Sequence, residues 1–201
     1  MLRAMTGPRL LFVIAMAIAT MCAAMMFATH DVHYVIRWTA RTSLGLFALA
    51  YVARPATQLW PSPLTKRLLR ERKWIGDGFA VSHFAHLVAI VALAAHDWQS
   101  FVATWDIART VATLMFVVLF AMAITSIDRV RKTMSKRAWN ALHRTGMHMA
   151  WFIFTFTYVG RLAIGAVWAV PAALLLGLAA IRMAAWLRHR RATRARVSVA
   201  A

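Results

Sequence analysis

Histidine is the residue type on which metal or redox chemistry could be built in this chain. The 201 residues include eight histidines but a single cysteine, Cys22. One cysteine cannot form an intramolecular disulfide, an iron–sulfur site or the C-x-x-C-H motif that attaches haem covalently. Any metal centre in this sequence must therefore use histidine, and any haem is held without a covalent bond.

Four of the histidines lie inside apolar runs, and they form two groups. His83 and His86 are three residues apart, so on a helix they lie about 60° apart and share a face. His143 and His148 lie about 140° apart on a helix, so we expect only one of them to face a given ligand. Counted from the predicted starts of their helices, all four lie at similar depths and could face one cavity. Each is a functional candidate, and the alternative for each is a neutral imidazole hydrogen-bonded to a neighbouring helix.

The elements that must position these histidines are membrane helices. Hydrophobic residues make up 62% of the chain and charged residues 15%, against about 45–50% and about 25% in soluble domains. The formal net charge is +18, but a nucleic-acid-binding protein would carry its basic residues on one soluble face. The composition therefore indicates a polytopic membrane protein and argues against a nucleic-acid partner.

Six apolar runs approach the roughly 20 residues that a membrane-spanning helix needs. We predict an all-α fold, a six-helix transmembrane bundle that forms a single domain over residues 1–201 with a basic tail at 188–201. The predicted spans are residues 10–28, 35–53, 76–96, 107–127, 139–160 and 162–187. The first run exceeds the usual apolar length of a signal peptide, so we expect it to remain as an uncleaved helix.

Basic residues set the predicted orientation. Most of the 24 Lys and Arg residues, from Arg3 near the start to Arg196 in the tail, fall in segments on one side of the six spans. Among the opposite connections only Arg161 is basic. The positive-inside rule then places both termini and the two basic connections in the cytoplasm, where they could also contact anionic membrane lipid. The longer connection, residues 54–75, is expected to contain a short interfacial helix over residues 64–74.

Arg37 and Arg41 lie one turn apart near the start of the second span. One interpretation is that both side chains extend to the membrane interface. The other is that they bind a buried anion, such as a haem propionate. The sequence leaves both interpretations open.

Motifs over residues 37–161 resemble the ferric reductase-like transmembrane domain family. That family includes the membrane cores of ferric reductases and NADPH oxidases, and the small haem-binding membrane subunit of a bacterial periplasmic methionine-sulfoxide reductase. The resemblance is carried by Arg37-x-Thr39-Ala40-Arg41-Thr42-Ser43-Leu44, Arg72-Lys73-x-x-Gly76, Ser82-His83-x-x-His86, Ala123-Ile124-Thr125-Ser126-x-Asp128-Arg129, and Trp139-x-x-Leu142-His143-Arg144-x-Gly146 with Trp151, Phe154 and Tyr158.

The resemblance implies one haem b, electron transfer across the membrane and a multi-pass location in a bacterial inner membrane. His86 and His143 match the family motifs best as iron ligands, with His83 and His148 as the alternative pair. Members with two haems carry a second histidine further along the fifth span, where this chain has Phe156. A single haem is therefore the expectation.

The electrons must come through a partner, because the sequence has no G-x-G-x-x-G motif after a strand with which to bind flavin or NAD(P)H. We expect the donor to be quinol in the bilayer or a separate flavoprotein reductase on the basic connections, and the acceptor to be periplasmic. The alternative function is a non-redox membrane scaffold or transporter that keeps the fold without haem.

Overall fold

The computed structural model describes the backbone of residues 6–200 and the side chains of these residues except 108 and 195–200. Arg3 and the side chain of Arg196 lie outside the described residues. The chain is all-helical: about 90% of it is helix, and residues 6–200 contain no strand.

Within residues 6–200 the chain forms six long helices, with two short helices in the connections. The long helices are α1 (Pro8–Thr29), α2 (Val32–Leu59), α3 (Pro63–His96), α5 (Ile107–Ser126), α7 (Lys136–Gly160) and α8 (Ala169–Ala200). The short ones are α4 (Trp98–Ala103) and α6 (Asp128–Arg131), and two 3-10 turns, Arg161–Ala163 and Ala166–Trp168, join α7 to α8.

Four segments within the described residues are long and apolar enough to cross a membrane. They are Pro8–Thr29, Pro63–His96, Arg109–Ser126 and Ala166–Arg194. Helices α2 and α7 have the length, with 28 and 25 residues, but are less apolar because charged and histidine side chains interrupt them. The predicted all-α fold is therefore confirmed, and four of its segments could span a membrane.

The predicted connection between the second and third spans, residues 54–75, is largely helical in the structure. Helix α2 continues through Pro55 to Leu59, and α3 begins at Pro63, so residues 60–62 alone connect them. Ser62 caps α3: its side chain accepts from the Thr65 N–H while the Thr65 hydroxyl accepts from the Ser62 N–H. The expected interfacial helix over residues 64–74 is the first part of α3.

Pro171 lies inside the apolar segment Ala166–Arg194, as the predicted sixth span at residues 162–187 requires. Helix α8 begins at Ala169, so Pro171 lies in the first turn. There the missing N–H leaves no intrahelical bond unmade.

Helices α2 and α3 share the largest interface, and the other long helices pack around this pair. The core is formed by aromatic and aliphatic side chains from α2, α3, α5 and α8 that are 0–2% exposed, Phe47, Phe79, Leu119 and Leu175, together with Phe154 of α7. We call the end of the bundle where α2 ends and α3 and α7 begin the basic end. The other end, where α3 ends and α5 begins, is the opposite end.

Candidate functional site

The structure places the two histidine groups at different levels of the bundle. Their contacts with residues of α5 show how far apart the two levels are. The rings of His83 and His86 stack on Phe116, with centroids 4.7 Å and 6.4 Å from it. His143 Nε2 lies 3.1 Å from Thr125 Oγ1. Phe116 and Thr125 are nine residues apart on α5, or about 13–14 Å along the axis. The structure therefore does not bring His86 and His143 together, nor all four histidines to one depth.

His86, in the level nearer the opposite end, is fixed by α2. Its Nδ1 lies 3.0 Å from the Ile36 carbonyl and 3.2 Å from Thr39 Oγ1. Because a carbonyl oxygen only accepts, the hydrogen bond to Ile36 places the proton on Nδ1 and leaves Nε2 unprotonated. Metal-binding histidines are commonly oriented by such a bond.

The same helix pair contains a buried series of hydroxyls next to His86. Ser43 Oγ donates to Ser82 Oγ at 3.0 Å, and Ser82 Oγ donates to the Thr39 carbonyl at 3.1 Å. All three residues are fully buried. These bonds fill the α2–α3 interface beside His86 with buried, hydrogen-bonded side chains.

His83 contrasts with its neighbour. Its Nδ1 is buried and has no hydrogen-bond partner among the described residues. The ring is surrounded by the aromatic side chains of Phe79, Phe116 and Phe154. A polar atom buried without a partner is uncommon, so this imidazole is the least satisfied of the four.

His143, in the level nearer the basic end, is held on two sides. Its ring stacks on Trp139 with centroids 4.1 Å apart, and its Nε2 contacts Thr125 Oγ1. Trp139 Nε1 in turn donates to the Thr125 carbonyl at 3.0 Å. These contacts use the nitrogen through which His143 would most simply bind a ligand.

In His148, Nε2 is available to a ligand. Its Nδ1 lies 2.6 Å from the Arg144 carbonyl one turn earlier in α7. In a neutral imidazole this bond places the proton on Nδ1 and leaves Nε2 free to bind a ligand. The ring meets Tyr51 of α2 edge-on at 6.0 Å, and the residue is exposed.

A cavity of about 1750 Å³ opens at the basic end between α2, α3, α5, α7 and α8. It exceeds the roughly 300–1,000 Å³ of common ligand pockets. His143 and His148 both line it, whereas His83 and His86 do not. Its cationic lining residues are Arg54, Arg70, Arg72, Lys73, Lys136, Arg137, Arg144 and Arg182, and its acidic one is Asp77.

The expectation that only one of His143 and His148 would face a ligand rested on their angular separation. The cavity is wide enough to extend around α7, so both residues line it. Its apolar wall includes Tyr51, Trp139 and Trp151. Trp151 Nε1 donates to the Leu175 carbonyl at 2.9 Å, which fixes this part of the wall against α8.

Arg37 and Arg41 lie away from the cavity, in the first half of α2 towards the opposite end. Their guanidinium groups lie over Tyr34 and Trp38, at 5.2 Å and 5.1 Å from the ring centroids. Both residues are exposed. This placement agrees with side chains that extend to the interface rather than with ligands of a buried anion.

Arg182 and Pro55 are cavity residues that the sequence reasoning did not select. Arg182 lies within the predicted sixth span, and a charge inside an apolar run was a usable signal because such residues are costly there. Pro55 gave no comparable signal, since it fell in a segment predicted to be a connection.

Neither the protein-family models nor the curated proteins and solved structures contain a match to this chain. Within the described part of the chain, no group of three or more His, Cys, Asp or Glu side chains could hold a metal ion. The residues of the cavity and the two histidine levels are therefore the features that point to a function.

Proposed function

We propose that the chain is a haem b-binding electron-transfer subunit of a ferric reductase-like membrane oxidoreductase. In this proposal α1, α2, α3, α5, α7 and α8 each cross a bacterial inner membrane, and both termini are cytoplasmic. The four apolar segments support the membrane location. The charge distribution supports the orientation, because the Lys and Arg residues in the first part of α3, in α6 and at the start of α7 lie at the basic end.

The observation that carries the proposal is the cavity at the basic end. It combines imidazoles, an aromatic wall and arginines in one space. Haem needs these three features: an axial nitrogen for the iron, apolar contacts for the macrocycle, and cations for the propionates. The donor types lining the cavity therefore fit the group.

His148 is the best-placed iron ligand in this cavity. Its hydrogen bond to the Arg144 carbonyl fixes the tautomer with a free Nε2, whereas the Nε2 of His143 already contacts Thr125. His86 has the same tautomer as His148 but lies outside the cavity. We therefore place His148 first and His143 second, and retain His83 and His86 as the alternative level.

A bound haem would supply one-electron redox chemistry, and the residues of the chain would hold it and shield it. Tyr51 and Trp151 provide apolar wall that excludes water. Arg144 and Arg182 provide positive charge. Low dielectric and fixed charge are the features through which a protein sets a haem potential.

The mouth of the cavity also supports an external electron donor. Arg70, Lys136, Arg137 and Arg144 line it and are exposed. An acidic surface on a separate flavoprotein could dock there, and quinol could reach the same level from the bilayer. The acceptor then lies beyond the opposite end.

One observation favours the alternative, a membrane scaffold or transporter without haem. Phe47, Phe79 and Phe154 pack against one another between the two histidine levels, with centroids 5.3–6.2 Å apart. The centre of the bundle is thus filled by side chains alone.

An absorption spectrum distinguishes the two functions. We expect protein purified from haem-replete cells to show a Soret band that shifts to longer wavelength on dithionite reduction. His148→Ala should remove most of the band, while the matched variant His96→Ala, at the opposite end of α3, should retain it. A colourless protein refutes haem binding, and loss in His86→Ala with retention in His148→Ala refutes the assignment to the cavity.

A further inference from the structure

Three arginines from three helices line the cavity where α2 passes through Pro55. Arg54 belongs to α2, Arg72 to α3 and Arg182 to α8. Arg72 Nε donates to the Ala50 carbonyl at 2.9 Å, and Arg182 Nη1 donates to the Tyr51 carbonyl at 3.2 Å. The Arg182 guanidinium also lies 4.3 Å from the centroid of the Tyr51 ring. We call these three residues the arginine cluster.

Pro55 explains why the cluster forms at this place. In an uninterrupted helix the Tyr51 carbonyl would accept from the N–H of residue 55, but proline has no N–H. Arg182 supplies the missing donor. The described bonds use Nε of Arg72 and one Nη of Arg182, and each guanidinium has five N–H donors, so most of the donor capacity is available to a ligand.

The cluster has no carboxylate partner among the described residues. Glu71 accepts from the Gly7 N–H and from Arg70, and Asp128 pairs with Lys73. Asp77 is the one acidic residue in the cavity lining, and it forms no ion pair with the cluster. Arg72 and Arg182 are partly buried and Arg54 is exposed, and the charges of Arg54 and Arg182 both act on Arg72. A bound anion would offset the repulsion among these like charges.

We propose that the arginine cluster binds the phosphate group of a ligand. Guanidinium groups from three helices suit the several oxygens of a tetrahedral phosphate better than the two oxygens of a planar carboxylate. The cavity beside the cluster has room for the rest of the ligand. The source is the headgroup of an anionic phospholipid or a soluble phosphate ester, and the proposal does not depend on haem binding.

Binding to the full chain in a neutral detergent tests the proposal. The probes are short-chain phosphatidylglycerol and inorganic phosphate, with acetate and chloride at matched ionic strength as controls. We expect at least one phosphate probe to bind and to raise the unfolding temperature, while acetate and chloride do not. Binding of phosphatidylglycerol without inorganic phosphate identifies a lipid headgroup, and binding of inorganic phosphate identifies a soluble ester.

The variants are Arg54→Gln, which loses a side chain with no described hydrogen bond, and Arg182→Lys, which keeps the charge but loses the guanidinium. Each should weaken phosphate binding by about tenfold or more, the effect of one charged hydrogen bond. The matched control is Arg188→Gln, because Arg188 is on α8 and contacts the Gln58 and Leu59 carbonyls but does not line the cavity.

Three results would overturn the proposal. Unchanged binding in Arg54→Gln and Arg182→Lys would show that the cluster is not the site. Equal weakening by Arg188→Gln would show that net charge alone matters. Phosphate binding by haem-free protein alone would show that the arginines bind the haem propionates instead. Haem content is measured on the same samples, so a colourless protein that binds phosphate refutes the proposed function and leaves this inference standing.

Discussion

The hydrogen bond from Arg182 to the Tyr51 carbonyl should be energetically coupled to Pro55. Arg182→Met removes the donor from a carbonyl that proline has left without its helical partner. Pro55→Ala restores an N–H at position 55, which can bond to Tyr51 within α2. Loss of Arg182 should therefore destabilise the protein less when residue 55 is alanine.

The size of this coupling follows from the contacts that each variant loses. With Pro55 present, Arg182→Met removes a charge-assisted hydrogen bond of about 1.5–3 kcal/mol and a cation–π contact of about 0.5–2 kcal/mol. With alanine at position 55, only the cation–π contact and packing are lost. Hydrogen bonds in membrane bundles average about 0.6 kcal/mol and reach about 1.7 in mutant cycles, so we expect a coupling of about 1–1.5 kcal/mol.

The assay is a double-mutant cycle in mixed micelles. Unfolding by dodecyl sulfate can be followed by tryptophan fluorescence, for which the chain has nine tryptophans. Arg188→Met is the control, because its partners Gln58 and Leu59 are not the carbonyl that Pro55 leaves free. The predicted coupling is contradicted if the effects of the Arg182 and Pro55 substitutions on the free energy of unfolding are additive to within about 0.5 kcal/mol. The same coupling between Arg188 and Pro55 would also contradict it.

Two further predictions concern helix packing. A Cβ at Gly146 would collide with the Met122 sulfur, whereas one at Gly177 would meet nothing within 4 Å. In the same unfolding assay, Gly146→Ala should lower the free energy of unfolding by about 1–3 kcal/mol. Gly177→Ala should raise it by up to about 1 kcal/mol. Equal effects of the two substitutions would contradict this packing. Glu71 is buried and accepts from the Gly7 N–H at 2.8 Å, so Glu71→Ala should speed hydrogen exchange in the first turn of α1, and unchanged exchange would show that this bond does not hold α1.

The helices were predictable where hydropathy alone decides their limits. The predicted span at residues 107–127 differs from α5, Ile107–Ser126, by one residue. The α2–α3 connection was not predictable in the same way, because the apolar run ends at residue 53 while the helix continues through Pro55 to Leu59. The carbonyl that Pro55 leaves free finds its donor in Arg182, which is far along the chain. A local sequence pattern cannot show that a distant side chain supplies the hydrogen-bond donor that a helix lacks.

The residues of the candidate site were partly predictable, but their arrangement was not. The cost of burying ionisable groups singled out His143 and His148, and the structure places both on the cavity. Depths counted from the predicted helix starts put His83 and His86 at about the same level as His143 and His148. The packing of Phe116 and Thr125 against the two groups sets their actual levels, and that packing depends on the whole bundle.

The difference between the two levels decides where a ligand can bind. At the level of His86, hydrogen bonds satisfy the buried hydroxyls and fix His86 against the Ile36 carbonyl, although His83 Nδ1 has no partner among the described residues, and neither histidine lines the cavity. At the basic end, backbone carbonyls of α2 already hold Arg72 and Arg182 in place. An anion that binds there need not order these side chains, which lowers the entropic cost of binding. The contacts that stabilise α2 around Pro55 thus also prepare a cationic cavity wall, whichever anionic group occupies it.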